Sequence, residues 1–292
     1  MFKKLTFFAA AALVGWSCSL VKEDRATCPL TAPVNVHLSG FRVSQEGFPA
    51  TKTTLDVADY AGVNSLTLGF FDPEGTPVYT STQSSGTAGF GDFSLSLPMG
   101  SYTMVAVAYT TKEGSPFTLT SPTSASFTGL HAYETFVCTQ AVNVTNAINA
   151  VDISATLERI VTGLTVNSTD GKTANVTNVR MSFSAGGKSF NPTTGFATVD
   201  TGFNNTVGVT AAVGSTSCSK SIFFLSTDEE TMDVTIETLD SSGNTLSSAV
   251  AHNVPFKRNR VTVLTGAMYT NKGVGGSFQL STDWLSDHNA SF

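Results

Sequence analysis

Apolar and polar residues alternate along most of the chain, which is the pattern of a β-strand with one buried face. The stretch VNVHLSGFRV is the first example, with Val34, Val36 and Leu38 on one side and polar residues between them. The stretches SLTLGFF, DFSLSLP, NVRMSF and VTVLTG repeat the pattern, and turn sequences such as DPEG separate them. Many short strands at close intervals predict antiparallel β-sandwiches rather than one parallel sheet.

Two stretches interrupt this pattern. Residues 110–126 are rich in Thr, Ser and Pro, and they predict a long surface connection. The stretch NAVDISATLERIVTGLTV predicts the junction between two domains, at residues 33–150 and 151–270. Strands are favoured over a short helix in this stretch, because β-branched residues and Gly163 disfavour helix formation.

A separate tail follows at residues 271–292. Three glycines between positions 273 and 276 predict a hinge. Beyond it Phe278, Leu280 and Trp284 are separated by even numbers of residues, so in a strand they would lie on the same face. This spacing predicts a tail strand. The strand either completes a sheet of its own chain or pairs with the open edge of a neighbouring chain, and the three side chains are the candidate donor residues.

The first residues predict export. Lys3 and Lys4 precede the apolar run LTFFAAAALVG, which is too short to span a bilayer and is typical of a signal peptide at residues 1–17. Cys18 follows the small residue Ser17, as lipoprotein processing requires. We therefore expect lipidation of Cys18 and a membrane-held tether at residues 18–32. The alternative is plain secretion with a free or paired Cys18.

Composition excludes several function classes. The chain has a formal net charge of −6 and only 13% charged residues, so it lacks the clustered Lys and Arg that nucleic acid requires. Abundant Thr, Val and Phe favour strands over helices. Tryptophan is scarce, with only two residues in the whole sequence, and this scarcity argues against a sugar-stacking surface.

Catalytic, metal and cofactor motifs are not found. The four histidines stand far apart, and the four cysteines show no CxxC spacing. We predict no disulfide framework, although the pairing of Cys28, Cys138 and Cys218 stays open. The stretch SAGGKSF lacks both the first glycine and the helix of a phosphate-binding loop. We therefore expect a protein that is not an enzyme and that uses no cofactor or metal.

Four stretches carry a resemblance to a known family: LTLGFFDPEGTPVYTS, LSLPMGSYTMVAVAY, ISATLERIVTGLTV and VPFKRNRVTVLTGAMY. Their order and spacing resemble the fimbrillin superfamily of Bacteroidota. The more specific signal is a Leu-x-Arg junction at 157–159, followed by Asn-x-x-Thr-x-x-x-Gly at 259–266. The opening CSLVKEDRATCP is similar to the branch of fimbrial anchor and minor subunits.

The resemblance implies a fold and a mode of assembly. The fold is two tandem transthyretin-like β-sandwich domains, exported as a lipoprotein to the outer membrane and exposed at the cell surface. Assembly with other fimbrial subunits occurs by β-strand exchange. In stalk subunits of this superfamily a protease cuts after a basic residue near the first mature strand, and Arg42 and Lys52 are the candidates in this chain. Anchor subunits keep that segment and their lipid.

The function expected from the sequence is structural and adhesive. The first hypothesis is a fimbrial anchor or minor subunit that is joined to its neighbours by strand exchange. One alternative is a stalk subunit matured near Arg42 or Lys52. The other is a surface lipoprotein that binds a glycan or a host protein.

Overall fold

The computed structural model describes residues 30–43, 53–55, 60, 62–112, 116–129, 131–270 and 279–281, with the backbone alone for 42–43, 53–55 and 279–281. The described residues form strands and turns without a helix, which confirms the prediction of an all-β chain. The described residues therefore contain no helix that is long and apolar enough to cross a membrane. The predicted signal peptide and Cys18 lie outside the described residues.

The described residues contain twenty strands. In chain order they are β1 (Thr31–Val43), β2 (Thr53–Leu55), β3 (Ser65–Phe71), β4 (Pro77–Ser84), β5 (Asp92–Pro98), β6 (Gly100–Tyr109), β7 (Phe117–Ser121), β8 (Ser124–Phe127), β9 (Thr135–Val144), β10 (Val151–Arg159), β11 (Thr162–Ser168), β12 (Asn178–Phe183), β13 (Ser189–Asn191), β14 (Phe196–Ala197), β15 (Phe203–Gly208), β16 (Cys218–Phe223), β17 (Glu229–Leu239), β18 (Thr245–Lys257), β19 (Val261–Gly266) and β20 (Gln279–Ser281).

The first sandwich is built from one eight-stranded sheet. Its order is β2-β1-β10-β9-β6-β3-β4, and β5 lies beside β1. Strands β9 and β10 share only two residue pairs, Glu158 with Val137 and Arg159 with Phe136, so the sheet folds over at that point. Side chains from both halves of the sheet, β1 and β10 on one side and β3, β6 and β9 on the other, meet in a common apolar core.

The second sandwich has two four-stranded sheets, in the orders β16-β11-β19-β20 and β15-β12-β17-β18. Leu164 and Val166 of the first sheet pack against Met181, Val234 and Ile236 of the second. Each sandwich contains one parallel strand pair, β1 with β10 and β11 with β19, among otherwise antiparallel neighbours. The predicted β-sandwich architecture is therefore confirmed.

A small shared sheet joins the two sandwiches. Its order is β14-β13-β8-β7, with β7 and β8 from the first half of the chain and β13 and β14 from the second. The prediction of a long surface connection at residues 110–126 is therefore wrong. Phe117 and Phe127 pack on Tyr109, Phe190 and one another, and these apolar contacts hold a Thr- and Ser-rich stretch in a hairpin.

Strand β10 belongs to the first sheet, although the sequence placed residues 151–270 in the second domain. Its pairing with β1 runs from Val151 through Glu158, and the next segment, β11, pairs only with strands of the second sandwich. The observed pairing favours a domain boundary after Arg159 rather than after Ala150. The reason is non-local, because the partner of β10 lies more than one hundred residues earlier in the chain.

Candidate strand-exchange site

Strand β1 is the first predicted strand, and its alternation places one face wholly in the core. Ala32, Val34, Val36 and Leu38 are at most 2% exposed. The intervening residues face solvent, and they include His37, whose Nδ1 lies 2.6 Å from Asp92 Oδ1. The structure therefore confirms the predicted alternation of buried and exposed residues along the first half of β1.

A bulge in β1 brings one more side chain into the core. The register with β10 shifts between Leu38 and Gly40. Without this shift Phe41 would face outward with the odd-numbered residues, because side chains alternate strictly along a regular strand. Phe41 is instead fully buried, with its ring centroid 4.4 Å from that of Phe136. The apolar face of β1 is thus lengthened to its C-terminal end.

The position of β1 in the sheet gives it partners on both sides. It pairs in parallel with β10 on one side, and with β5 and β2 on the other. The buried floor beneath it is formed by facing apolar residues of the other half of the sheet: Leu66, Leu68, Phe70, Met104, Ala106, Ala108 and Phe136. If β1 left, it would expose two rows of backbone hydrogen-bonding groups and an apolar groove. Such a vacancy matches an incoming strand.

The two candidate processing residues differ in their surroundings. Arg42 lies inside the ladder, where it pairs with Glu158 on one side and Thr54 on the other. Cleavage after Arg42 therefore requires the end of β1 to leave the sheet first, because a strand paired on both sides is closed to a protease. Lys52 lies outside the described residues, and both residues stay candidates.

The tail strand is described only over Gln279–Ser281. This segment pairs antiparallel with β19 of the same chain, with Leu280 opposite Leu264. Phe278 and Trp284, the other two predicted donor residues, lie outside the described residues. The structure thus pairs three residues of the tail within its own chain, at an outer edge of the second sandwich.

A carboxylate holds the chain just before the tail. Asp170 accepts hydrogen bonds from the backbone N–H groups of Met268, Tyr269 and Thr270 at 2.7–2.9 Å, and from the Thr270 hydroxyl at 2.9 Å. Partial burial alone would raise the pKa of Asp170, but these four hydrogen bonds outweigh it and lower the pKa below its ordinary value. The root of the tail is therefore fixed to the second sandwich. No local sequence pattern predicts this contact.

A polar network lies where the two sandwiches meet. Arg159 donates from Nε to Glu134 at 2.6 Å, from Nη2 to the Tyr60 hydroxyl at 2.9 Å and from Nη1 to Asn259 at 3.1 Å. Burial raises the pKa of Tyr60 to about 12, and the Glu134 carboxylate adds to the increase. The guanidinium also lies over the ring of Phe136, 5.1 Å from its centroid.

This network explains the more specific sequence signal. The Leu-x-Arg junction supplies Arg159, and the later Asn-x-x-Thr-x-x-x-Gly stretch supplies Asn259, which adopts a positive φ of 59°. Asn259 also donates its N–H to the carbonyl of Val161 at 2.8 Å. The two halves of the motif, one hundred residues apart, therefore meet at the joint between the sandwiches.

Reactive groups are sparse in the part of the chain that the structure describes. Within it, no three His, Cys, Asp or Glu side chains are grouped as a metal ion would need. Cys138 and Cys218 are both free thiols, and burial raises the pKa of Cys138. Cys18 and Cys28 lie outside the described residues. The contacts among the described residues are those of strand pairing and side-chain packing.

Comparison with known families assigns the chain. A family model described as a family of unknown function, DUF6562, matches residues 92–290, which is more than half of the sequence. The chain belongs to the DUF6562 family. The match begins at β5 and includes Glu134, Arg159 and Asn259 of the joint network, the second sandwich and the tail strand. A comparison with curated proteins finds no match for this DUF6562 member.

Solved structures share the fold at low sequence identity. A candidate adhesin from Bacteroides ovatus is 12% identical, with 89% of this chain and 96% of that chain covered and a TM-score of 0.53. A second candidate adhesin, from Bacteroides ovatus ATCC 8483, is 11% identical over 80% of this chain and 87% of its own, with a TM-score of 0.51.

A third structure, described as candidate polysaccharide-binding proteins from Bacteroides thetaiotaomicron VPI-5482, is 8% identical over 89% of this chain and 100% of its own, with a TM-score of 0.50. These likenesses establish the fold of the DUF6562 member. The tandem β-sandwich fold that the fimbrillin resemblance implies is thereby confirmed.

Proposed function

We propose that the chain is a structural, adhesive subunit of a surface fibre, most simply a fimbrial anchor or minor subunit, held on the outer membrane by acyl chains on Cys18. The observation that carries the proposal is strand β1. It is buried on one face and paired on both edges, yet it is contributed by the N-terminal end of the described chain. A strand with these properties can be supplied by another chain.

The topology relates processing to role. A subunit that keeps β1 has a filled groove, so it can donate a strand to a neighbour and cannot receive one. A subunit that loses β1 can both donate and receive. The uncut chain therefore belongs at one end of a fibre, as an anchor does, and a chain cut near Arg42 or Lys52 belongs within the stalk.

The tail is the candidate donor. Phe278, Leu280 and Trp284 are spaced to fill alternate pockets of a groove, and burial of each large side chain contributes about 1.5–3 kcal/mol. A full ladder of backbone hydrogen bonds adds to this. The short pairing of Gln279–Ser281 with β19 is then the resting position of a strand that leaves for a neighbour's groove.

The shared fold with two proteins from Bacteroides ovatus supports this role, since those proteins are described as candidate adhesins. Adhesion through strand pairing and packing also requires no catalytic group. The proposal accounts for the low charge of the chain and for its many strands.

The N-terminus of the protein isolated from the cell surface tests the proposal. We expect mass spectrometry of the intact N-terminal peptide to find acylated Cys18 with β1 still attached. A terminus immediately after Arg42 or Lys52 would instead assign the chain to the stalk. As a control, Cys18→Ala should lose fatty-acid labelling and membrane retention. Unchanged labelling in that variant would contradict lipid anchoring.

A further inference from the structure

One end of the first sandwich carries three exposed apolar side chains. Leu30 is 65% exposed, Met99 is 48% exposed and Ile148 is 87% exposed. These three residues are called here the apolar tip. The other exposed large hydrophobic residues among those the structure describes are spread over other parts of the fold: Val78, Val199, Val213 and Leu246. Singly exposed residues are normal, whereas a group at one end indicates a contact surface.

The strand register places the apolar tip together. The N–H of Met99 donates to the carbonyl of Leu30 at 3.1 Å. Gly100 pairs with Val144, so the loop that carries Ile148 leaves the sheet beside Met99. That loop returns at Val151, which pairs in parallel with Val34 near the start of β1.

The three segments at this end contain no charged residue. Residues 30–34, 93–103 and 135–151 are apolar or neutral polar throughout, in a chain with 13% charged residues. Asp152 directly follows the third segment, and Asp72 lies close enough to Tyr102 of the second segment to interact with it electrostatically. Burying an unpaired carboxylate is costly, so any apolar surface that contacts the tip must cover only its end and leave these carboxylates in water.

The chain leading to Cys18 enters the fold at this same end. Twelve residues, Cys18–Pro29, precede Leu30. Even fully extended at about 3.3–3.6 Å per residue, they allow Leu30 to lie no more than about 40 Å from an acylated Cys18. If Cys18 is acylated, the end of the sandwich that carries the apolar tip is therefore held within that distance of the membrane.

We propose that the apolar tip rests on the lipid bilayer, with Leu30, Met99 and Ile148 inserted at the boundary between headgroups and acyl chains. This inference rests on the proposed anchoring through Cys18. The acyl chains retain the protein, and the tip fixes its orientation, with the second sandwich and the tail strand directed away from the membrane. Side chains of this kind on a peripheral protein commonly lie at that boundary.

Intrinsic fluorescence can test this orientation. The sequence has two tryptophans, Trp16 in the predicted signal peptide and Trp284 in the tail, so Trp284→Phe gives a processed chain without tryptophan. In that background Met99→Trp reports on the tip, and Val213→Trp, at a 63% exposed position of the second sandwich, is the matched control. The acylated proteins are reconstituted in phosphatidylethanolamine vesicles with brominated acyl chains.

We expect quenching by the brominated lipid to be several-fold stronger at position 99 than at position 213. Adding Leu30→Ser and Ile148→Ser should remove most of this difference without changing the thermal unfolding temperature, because both positions are exposed. Equal quenching at the two positions in vesicle-bound protein would overturn the orientation and leave the anchoring intact. Protein that does not float with the vesicles would overturn both proposals.

Discussion

At the scale of single residues, the fold depends on a few polar groups that bind backbone or bridge the two sandwiches. Arg159 lies in an apolar stretch where a charge is unexpected, and only the structure reveals that Glu134, Tyr60 and Asn259 surround it. A charged group removed from water is tolerated when it is paired and hydrogen-bonded. The joint therefore requires these residue types together.

Phe41 connects the exchange site to this joint. Its ring lies 5.3 Å from that of Tyr60 and 4.4 Å from that of Phe136, and Tyr60 in turn accepts a hydrogen bond from Arg159. Loss of β1 would remove Phe41 from this aromatic group. The polar network at the joint is therefore expected to loosen when β1 leaves.

Asp170 gives a prediction at the same scale. Asp170→Asn removes one acceptor oxygen and places an amide donor among N–H groups, so the free energy of unfolding should fall by about 2 kcal/mol at neutral pH. Urea denaturation measures this value. Asp152→Asn is the control at an exposed position of β10. It keeps an acceptor oxygen for the Asn35 amide, so it should change the free energy by less than about 0.5 kcal/mol.

The effect of Asp170 should also depend on pH. Its pKa is lower in the folded state than in the unfolded chain, where it is about 3.9, so its stabilisation is present above that value. As the pH falls through the folded pKa, the carboxylate is protonated and this contribution is lost. The difference between wild type and Asp170→Asn should therefore shrink below about pH 4. A difference that stays constant from neutral to strongly acidic pH would contradict this assignment.

At the scale of elements, β1 is held by its buried face rather than by its exposed one. Val36→Asp puts an unpaired carboxylate into the core of the first sandwich, at a position that is 2% exposed. We expect the free energy of unfolding to fall by at least about 3 kcal/mol, or the protein to fail to fold. Thermal or urea unfolding measures the loss.

The control for this prediction lies on the same strand. Thr31→Asp adds the same charge at an exposed position of β1, and it should change the free energy of unfolding by no more than about 0.5 kcal/mol. An equal decrease in the free energy of unfolding in the two variants would mean that β1 is stabilised by charge or strand propensity, and that it has no buried face. That outcome would remove the basis for a groove beneath β1.

Local sequence patterns predict many of the strands and fail where packing is decided at a distance. The alternation in β1 and the turn at Asp72 followed from side-chain period and turn chemistry, and Gly75 indeed has a positive φ of 81°. Strand β3 was expected to have one buried face, but it is buried on both faces, because Phe71 packs at the joint between the sandwiches. The hairpin β7–β8 was missed because its composition is that of a loop. Aromatic contacts from the other half of the chain hold it in place.

The parallel pairing of β1 with β10 could not be predicted either, because it too is decided by contacts distant in sequence. Nothing in Val151–Arg159 distinguishes a strand of the first sheet from one of the second, and only the folded chain places it beside β1. The same applies to Asp170, an ordinary surface acid in the sequence. Its partners are backbone N–H groups about one hundred residues away.

At the scale of the whole molecule, two sandwiches are joined by a shared sheet, an aromatic cluster and the Arg159 network. Phe127, Phe190 and Phe224 stack across the joint with centroid separations of 4.5–6.4 Å. Such a joint would suit the fibre subunit that we propose. In that proposal the two ends of the chain serve different contacts, the first toward the membrane and the last toward a neighbour.

Removal of the tail, Gly273–Phe292, tests the central claim of assembly by strand exchange most directly. The truncated and full-length proteins are compared for incorporation into fibres sheared from the cell surface, and for thermal unfolding as purified monomers. We predict that the truncated chain folds, with only a small decrease in unfolding temperature because three tail residues pair with β19, and that it is absent from the fibres. Truncated protein found in the fibres at the full-length level would contradict strand exchange through the tail.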